Sequence, residues 1–213
     1  MRFDQYIAPK YQKSIEDAFE TILEKGSEQH RRTARLIIDS AMLVQVKPVA
    51  VVLASGITGL IDPSATREKI EEERLNLKEA FGEIFITIAE ETIDTGGQRG
   101  CEGTFVHEGR HALDFAQVVE SFSYADVHPL RVFNPTLYEL EWAAHVASGE
   151  YMIQIGRDEY LQEGLDLMIL GRNEAGYFVD ADGIRRRLRE SYGLTPDGNQ
   201  GKLAGEMLRL VPR

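Results

Sequence analysis

The sequence predicts a helix-rich α+β fold, with a small sheet ahead of a buried helix that carries two histidines. Three observations point there. Ile7, Tyr11, Ile15, Ala18, Phe19, Ile22 and Leu23 recur at helical spacing near the start of the chain. Glu83-Ile84-Phe85-Ile86-Thr87-Ile88-Ala89 is dense in β-branched and aromatic residues and reads as the best strand. Around His107 and His111, Phe105, Val106, Leu113, Phe115, Ala116, Val118 and Val119 give a helix that is apolar on most sides, as a helix inside a core must be.

The first helix is expected from Tyr6 to Lys25, where Gly26 stops it, and a second from Glu28 to Ser40. The apolar run from Met42 to Ala54, interrupted by Pro48, suits either a strand or a buried helix, because periodicity does not separate the two. Asp62-Pro63 pairs a cap with a proline that needs no donor, opening a charged helix to about Phe81. After the strand, Gly96-Gly97-Gln98-Arg99-Gly100 lacks the Lys-Ser/Thr ending of a phosphate-binding loop and reads as a flexible loop beside the site. Gly103-Thr104 then caps the histidine helix. Asn134-Pro135 repeats the cap-and-proline start and opens another helix, and Asp158 to Leu170, ended by Gly171, is one more packing helix. Asp180-Ala181-Asp182-Gly183 lacks the later ligands of a calcium loop and is a turn into a short helix, on which Arg185-Arg186-Arg187-Leu188-Arg189 reads as a solvated face.

Chemistry concentrates in His107-Glu108-Gly109-Arg110-His111, a His-Glu-x-x-His pentapeptide. Residues four apart project side by side from a helix, so both imidazoles face one metal ion, and Glu108 reaches a water beside it. Shuffling this composition would produce the pentapeptide roughly 0.01 times per chain, which makes accident a poor explanation. Catalytic zinc takes three protein ligands and keeps an open position. The third is sought in Tyr138-Glu139-Leu140-Glu141-Trp142-Ala143-Ala144-His145. Glu139 and Glu141 stand about 200° apart around a helix, so one of them alone faces the histidines. Glu141 shares its face with Ala144, His145 and Ser148, whose small members allow a close approach, and is preferred.

This pair of segments resembles the gluzincin branch of the zincin metallopeptidases, over Thr104 to Ser148. Glu141-Trp142-Ala143-Ala144-His145 is similar to the Glu-x-x-Ala-Asp pattern that carries the third ligand, with His145 where Asp or Asn is usual. The resemblance implies a zincin-like domain with Zn²⁺ held by His107, His111 and Glu141, and Glu108 as general base. It implies a peptide or protein substrate that adds to a strand lining the cleft, for which Ile84 to Ala89 is the candidate. The usual acidic residue orients a zinc-binding histidine, and the resemblance leaves that work to His145 or to Asp114. Tyr138, His145, His128, Tyr124 and Arg131 are all candidates for the donor to a developing oxyanion. Metzincins fit poorly, since Asp114 and Gln117 stand where their longer motif has Gly and His. Beside the zinc hydrolase stands a second reading, a non-catalytic zincin-fold binding or sensor protein, kept open by the departure at His145.

At 213 residues and 43% hydrophobic, the chain suffices for one core, expected over residues 1–209. Leu210-Val211-Pro212-Arg213 looks like the remnant of a thrombin-cleavable tag. A net charge of −11 argues against nucleic acid and against an anionic membrane surface. The single cysteine, Cys101, forms no internal disulfide and is read as incidental to the site. No apolar leader and no membrane span appear, so a cytoplasmic location is the default expectation, with secretion the alternative if a native signal sequence has been removed. Oligomeric state is not encoded in any of these features.

Overall fold

The computed structural model describes residues 1–156 and 168–210. Its architecture is α+β: helices packed on one mixed four-stranded sheet, with a separate two-stranded ribbon. A short strand β1 (Arg2–Phe3) precedes helix α1 (Pro9–Lys25), whose Tyr11, Ile15, Ala18, Phe19 and Ile22 form one buried stripe. Helix α2 (Glu28–Asp39) starts at Ser27, where His30 Nδ1 accepts the Ser27 N–H at 3.2 Å. The ambiguous apolar run resolves into both alternatives, strand β2 (Leu43–Lys47) and, after Pro48, the single-turn helix α3 (Val49–Val52).

Strand β3 (Gly56–Leu60) leads to α4 (Pro63–Glu72) and α5 (Leu77–Gly82), two helices where the charge pattern predicts one. The interruption has a packing cause. Leu75 is driven into the core, its N–H donates to Ser123 Oγ at 3.1 Å, and Asn76 restarts the helix through a reciprocal cap with Glu79.

Strand β4 (Ile84–Ala89) matches expectation in extent, but its place in the sheet does not suit a peptide-binding strand. The order is β1-β2-β4-β3, with β4 parallel to β2 and antiparallel to β3. Both edges of β4 are therefore occupied, and its side chains are buried on both faces of the sheet, which is why it reads as an almost unbroken apolar run. The outer edge by the site belongs to β3.

Helix α6 (Glu90–Phe122) is the axle of the fold, packed by α1, α5, α7 and the sheet. It begins well before Gly103, and the expected glycine loop is helical apart from Gly97, at φ 56° and ψ −145°. That conformation is open to glycine, so the run produces a kink instead of a loop. Gly100 allows the tight packing that follows, since a Cβ there would meet the Thr92 carbonyl oxygen at 2.5 Å.

Helix α7 (Leu137–Ile155) packs on α6, with Ala144, Ala147 and Ser148 among its buried residues. Its cap is Thr136, closed by Glu139, and not Asn134. Asn134 Oδ1 instead accepts the Gly205 N–H at 2.7 Å, and the Pro135 carbonyl takes that of Ala204, fastening helix α9 (Ala204–Met207). Between them in sequence lie β5 (Leu170–Asn173), β6 (Gly176–Val179) and α8 (Ala181–Tyr192). The helix read from Asp158 falls mostly outside the described residues, and Leu170 and Gly171 belong to β5. The expected turn at Asp180 to Gly183 does lead into a helix, α8, which starts at Ala181 with Asp180 as its cap. Leu210, taken as the start of a tag, packs in the main core with its N–H on the Gly205 carbonyl.

Candidate metal centre

The apolar surroundings of α6 make it a rigid base for polar groups. His107 and His111 stand one turn apart on its α7-facing side, their ring centroids 4.8 Å from each other. Glu141 comes from α7 and places its carboxylate between them: Oε2 is 3.6 Å from His107 Nε2, and Oε1 is 3.5 Å from His111 Nε2. These separations exceed the roughly 2.7–3.2 Å of a good N–H···O bond. They lie close to the ~3.4 Å between neighbouring ligand atoms when tetrahedral zinc binds at about 2.0–2.2 Å. Glu141 Oε2 is buried and has no hydrogen-bond partner among the described residues. An unpartnered buried carboxylate oxygen facing two imidazoles is costly unless something cationic satisfies it, so these residues fit zinc.

Charge in this cluster is organised accordingly. Burial opposes ionisation of Glu141, yet the two imidazoles outweigh it and hold the carboxyl well below its usual range. Burial likewise opposes protonation of His111, but the carboxylates of Glu141, Glu108 and Asp114 shift it upward. Glu139, the rejected alternative, turns outward and accepts from Thr136 N–H at 2.8 Å and from the Thr136 hydroxyl at 3.0 Å.

His145 joins the cluster, since His107, Glu141 and His145 each offer a ligand atom within 4.8 Å of the others. Its hydrogen bonds give it another task. Nδ1 donates to the Glu141 carbonyl at 2.7 Å, and Nε2 accepts from Arg187 Nε at 2.8 Å. Burial first, then the neighbouring His107 and, more weakly, Arg187, push its pKa down to about 4, so the ring is neutral. Both nitrogens of His145 are thus engaged within the protein.

Asp114 is buried beside His111 on the same helix. One oxygen accepts from Arg110 Nε at 2.9 Å; among the described residues the other, Oδ1, has no hydrogen-bond partner, and neither has His111 Nδ1. Burial raises the Asp114 pKa against the pull of Arg110. On the other histidine, Ser148 Oγ approaches His107 Nδ1 at 3.5 Å.

Glu108 is 7% exposed and faces a cleft of about 680 Å³. Its Oε2 accepts from the Thr58 hydroxyl of β3 at 2.7 Å. Gly56 makes that approach possible, because a Cβ there would meet Thr104 Cγ2 at 2.6 Å and Glu108 Cγ at 2.9 Å. The cleft runs between β3 with the N-terminal half of α6 on one side and His145, Ser148, Arg187 and Tyr192 on the other. Gly96, Arg99 and Gly100 lie along it, so the glycine run is beside the site as expected, though helical.

Four residues of this site escape sequence reading: Thr58, Ser148 as a neighbour of His107, Arg187 and Tyr192. The last two carry a usable signal. Ile184 and Leu188 are buried on α8, and Arg187 and Tyr192 follow each by one turn, on the inward side. Arg187 thus leaves the solvated face to which the basic run was assigned. Tyr192 has its pKa raised to about 12, by burial and then by the charge of Glu141, and keeps its proton at neutral pH. The oxyanion candidates fare differently. Tyr138 stacks on Trp142 in the smaller core, with ring centroids 6.1 Å apart, and does not line the cleft. Tyr124 lies under Arg74, and His128 and Arg131 sit on an exposed turn. Cys101 is buried in the main core, and burial, then Glu102, push its thiol up to about 12, which makes it inert.

No protein family, curated protein or solved structure matches the chain. Among the described residues no helix is long and apolar enough to cross a membrane.

Proposed function

We propose that the protein is a zinc-dependent hydrolase of the gluzincin type that cleaves peptide bonds in peptide or protein substrates. One observation carries the reading: the Glu141 carboxylate lies 3.5–3.6 Å from His107 and His111, at zinc-ligand spacing, with Glu108 on the cleft side of the same helix. His107, His111 and Glu141 would hold the ion, which supplies Lewis-acid polarisation of the scissile carbonyl and lowers the pKa of the attacking water.

The chain's own groups then divide the work. Glu108 is the general base: Thr58 holds its Oε2, leaving the other oxygen to accept a proton from water and return it to the departing nitrogen. Tyr192, protonated and directed at the same centre, donates to the carbonyl oxygen as negative charge develops there. Asp114, paired with Arg110, is the carboxylate available to orient His111 through its outer nitrogen. The outer edge of β3, unpaired among the described residues, takes the role first given to β4, receiving an extended peptide by main-chain hydrogen bonds.

The test is Glu108→Gln in zinc-supplemented buffer with a peptide library read by mass spectrometry. The variant is expected to retain zinc and to lose roughly 10²-fold or more in turnover. Zinc-loaded wild type that cleaves nothing, or a variant as active as wild type, would refute the assignment.

A further inference from the structure

Helix periodicity splits the basic run of α8. Arg185, Arg186 and Arg189 are exposed, and Arg185 pairs with Asp182 at 2.5 Å. Arg187 instead enters the cleft, half-buried. Arg31, Arg74 and Arg110 each have a carboxylate partner, yet among the described residues Arg187 has none. Its one hydrogen bond there goes to His145. In a chain of net charge −11 carboxylates are plentiful. A partly buried guanidinium without one is costly, and its charge is left available to a ligand.

The contact with His145 determines how that charge is presented. A carbonyl oxygen only accepts, so the bond from His145 Nδ1 to the Glu141 carbonyl puts the imidazole proton on Nδ1 and leaves Nε2 bare. Nε2 then takes the Arg187 Nε–H. Anchored through Nε, the guanidinium keeps its two terminal nitrogens, a planar fork that matches a carboxylate with two parallel bonds. This gives a physical reason for His145 where the gluzincin pattern has Asp or Asn. An aspartate would pair with Arg187 and cancel its charge, whereas a neutral imidazole orients the arginine and leaves the charge intact.

We propose that Arg187 is a specificity-determining anchor for a substrate carboxylate, presented by His145, so that the peptides cleaved here bear either a free C-terminus or an acidic side chain close to the scissile bond. This rests on the peptidase reading of the same site and names its substrate class.

The experiment compares matched peptides, identical except for a free or amidated C-terminus and for Glu or Gln side chains, on the full chain in zinc-supplemented buffer. A charge-assisted pair predicts roughly 10- to 100-fold higher kcat/KM for the carboxylate forms. The substitution that removes the preference tells a C-terminal carboxylate from a side-chain one. Arg187→Gln should erase the preference through KM, with kcat on the amidated peptide little changed. Arg187→Lys should restore part of it, and His145→Asp should abolish it with Arg187 still present. Equal treatment of acid and amide by wild type, or an equal loss on both in Arg187→Gln, overturns the proposal. Binding of the same peptides, fluorescently labelled, is measured by anisotropy on Glu108→Gln with and without Arg187→Gln. A carboxylate preference that vanishes with Arg187 upholds the anchor even if no peptide is cleaved, which would refute the peptidase reading alone. Equal binding of acid and amide refutes the anchor.

Discussion

Replacing Glu141 or Glu139 by alanine, two positions apart on one helix, should give opposite results. Glu141 is 9% exposed, with its carboxylate between His107 and His111. Zinc present at 1,000 times its dissociation constant stabilises a binding-competent fold by about 4 kcal/mol. For a chain of this size each kcal/mol moves Tm by roughly 2–4 °C, so zinc should raise wild-type Tm by about 8–16 °C. Glu141→Ala should lose nearly all of that shift. Glu139 is exposed, and its bonds to Thr136 close the cap of α7. Its removal should cost about 1 kcal/mol, lowering Tm by roughly 2–4 °C while the zinc shift survives. Thermal melts with and without zinc, on the three proteins side by side, provide the assay. A zinc shift that persists in Glu141→Ala and disappears in Glu139→Ala would refute the assignment of the third ligand.

Two further outcomes test other parts of the account. Tyr192→Phe deletes only the hydroxyl directed at the centre and should lower kcat by roughly 10²-fold, with zinc content and KM little changed; undiminished kcat would remove Tyr192 from the mechanism. His30 is buried between α2 and α7, donating Nε2–H to the Ala147 carbonyl at 3.0 Å, and burial, against that bond, depresses its pKa below the ordinary 6.5. The unfolded chain therefore binds the proton more readily, so the His30 contribution is complete above about pH 6.5 and is lost as pH falls through the folded-state pKa. Stability measured by denaturant from pH 7 to 5 should fall less steeply in His30→Asn than in wild type, and identical slopes would contradict this.

Much of the site is legible in the sequence because it is local. The pentapeptide puts His107, Glu108 and His111 on one helix; the roughly 200° between positions 139 and 141 lets one glutamate alone face them, and the small residues that share a face with Glu141 favour it. The strand at 84–89 is legible because burial on both faces leaves an apolar run. What escapes depends on distant partners. β3 is read poorly since Gly-Ile-Thr-Gly-Leu has weak strand propensity, and its glycine at 56 is explained only by the approach of Thr104 and Glu108. The break between α4 and α5 follows from Ser123, far along the chain, receiving the Leu75 N–H. Arg187 hides in a run of like residues whose exposed members suggest one solvated face, although the buried Ile184 and Leu188 mark where that face ends. The Gly96–Gly100 stretch looks like a loop because a helix tolerates three glycines only with the support of neighbours such as α1, where Gln98 Nε2 donates to Thr21 Oγ1 at 2.6 Å.

The central claim is that His107, His111 and Glu141 form one zinc site. X-ray absorption at the zinc edge, together with metal content per chain, tests it directly. The account predicts about one zinc per wild-type chain, with two imidazole nitrogens at about 2.0–2.1 Å and a carboxylate oxygen at about 2.0–2.2 Å, and loss of that metal in His107→Ala. Equal zinc in wild type and His107→Ala, or a first shell with fewer than two imidazoles, would contradict it.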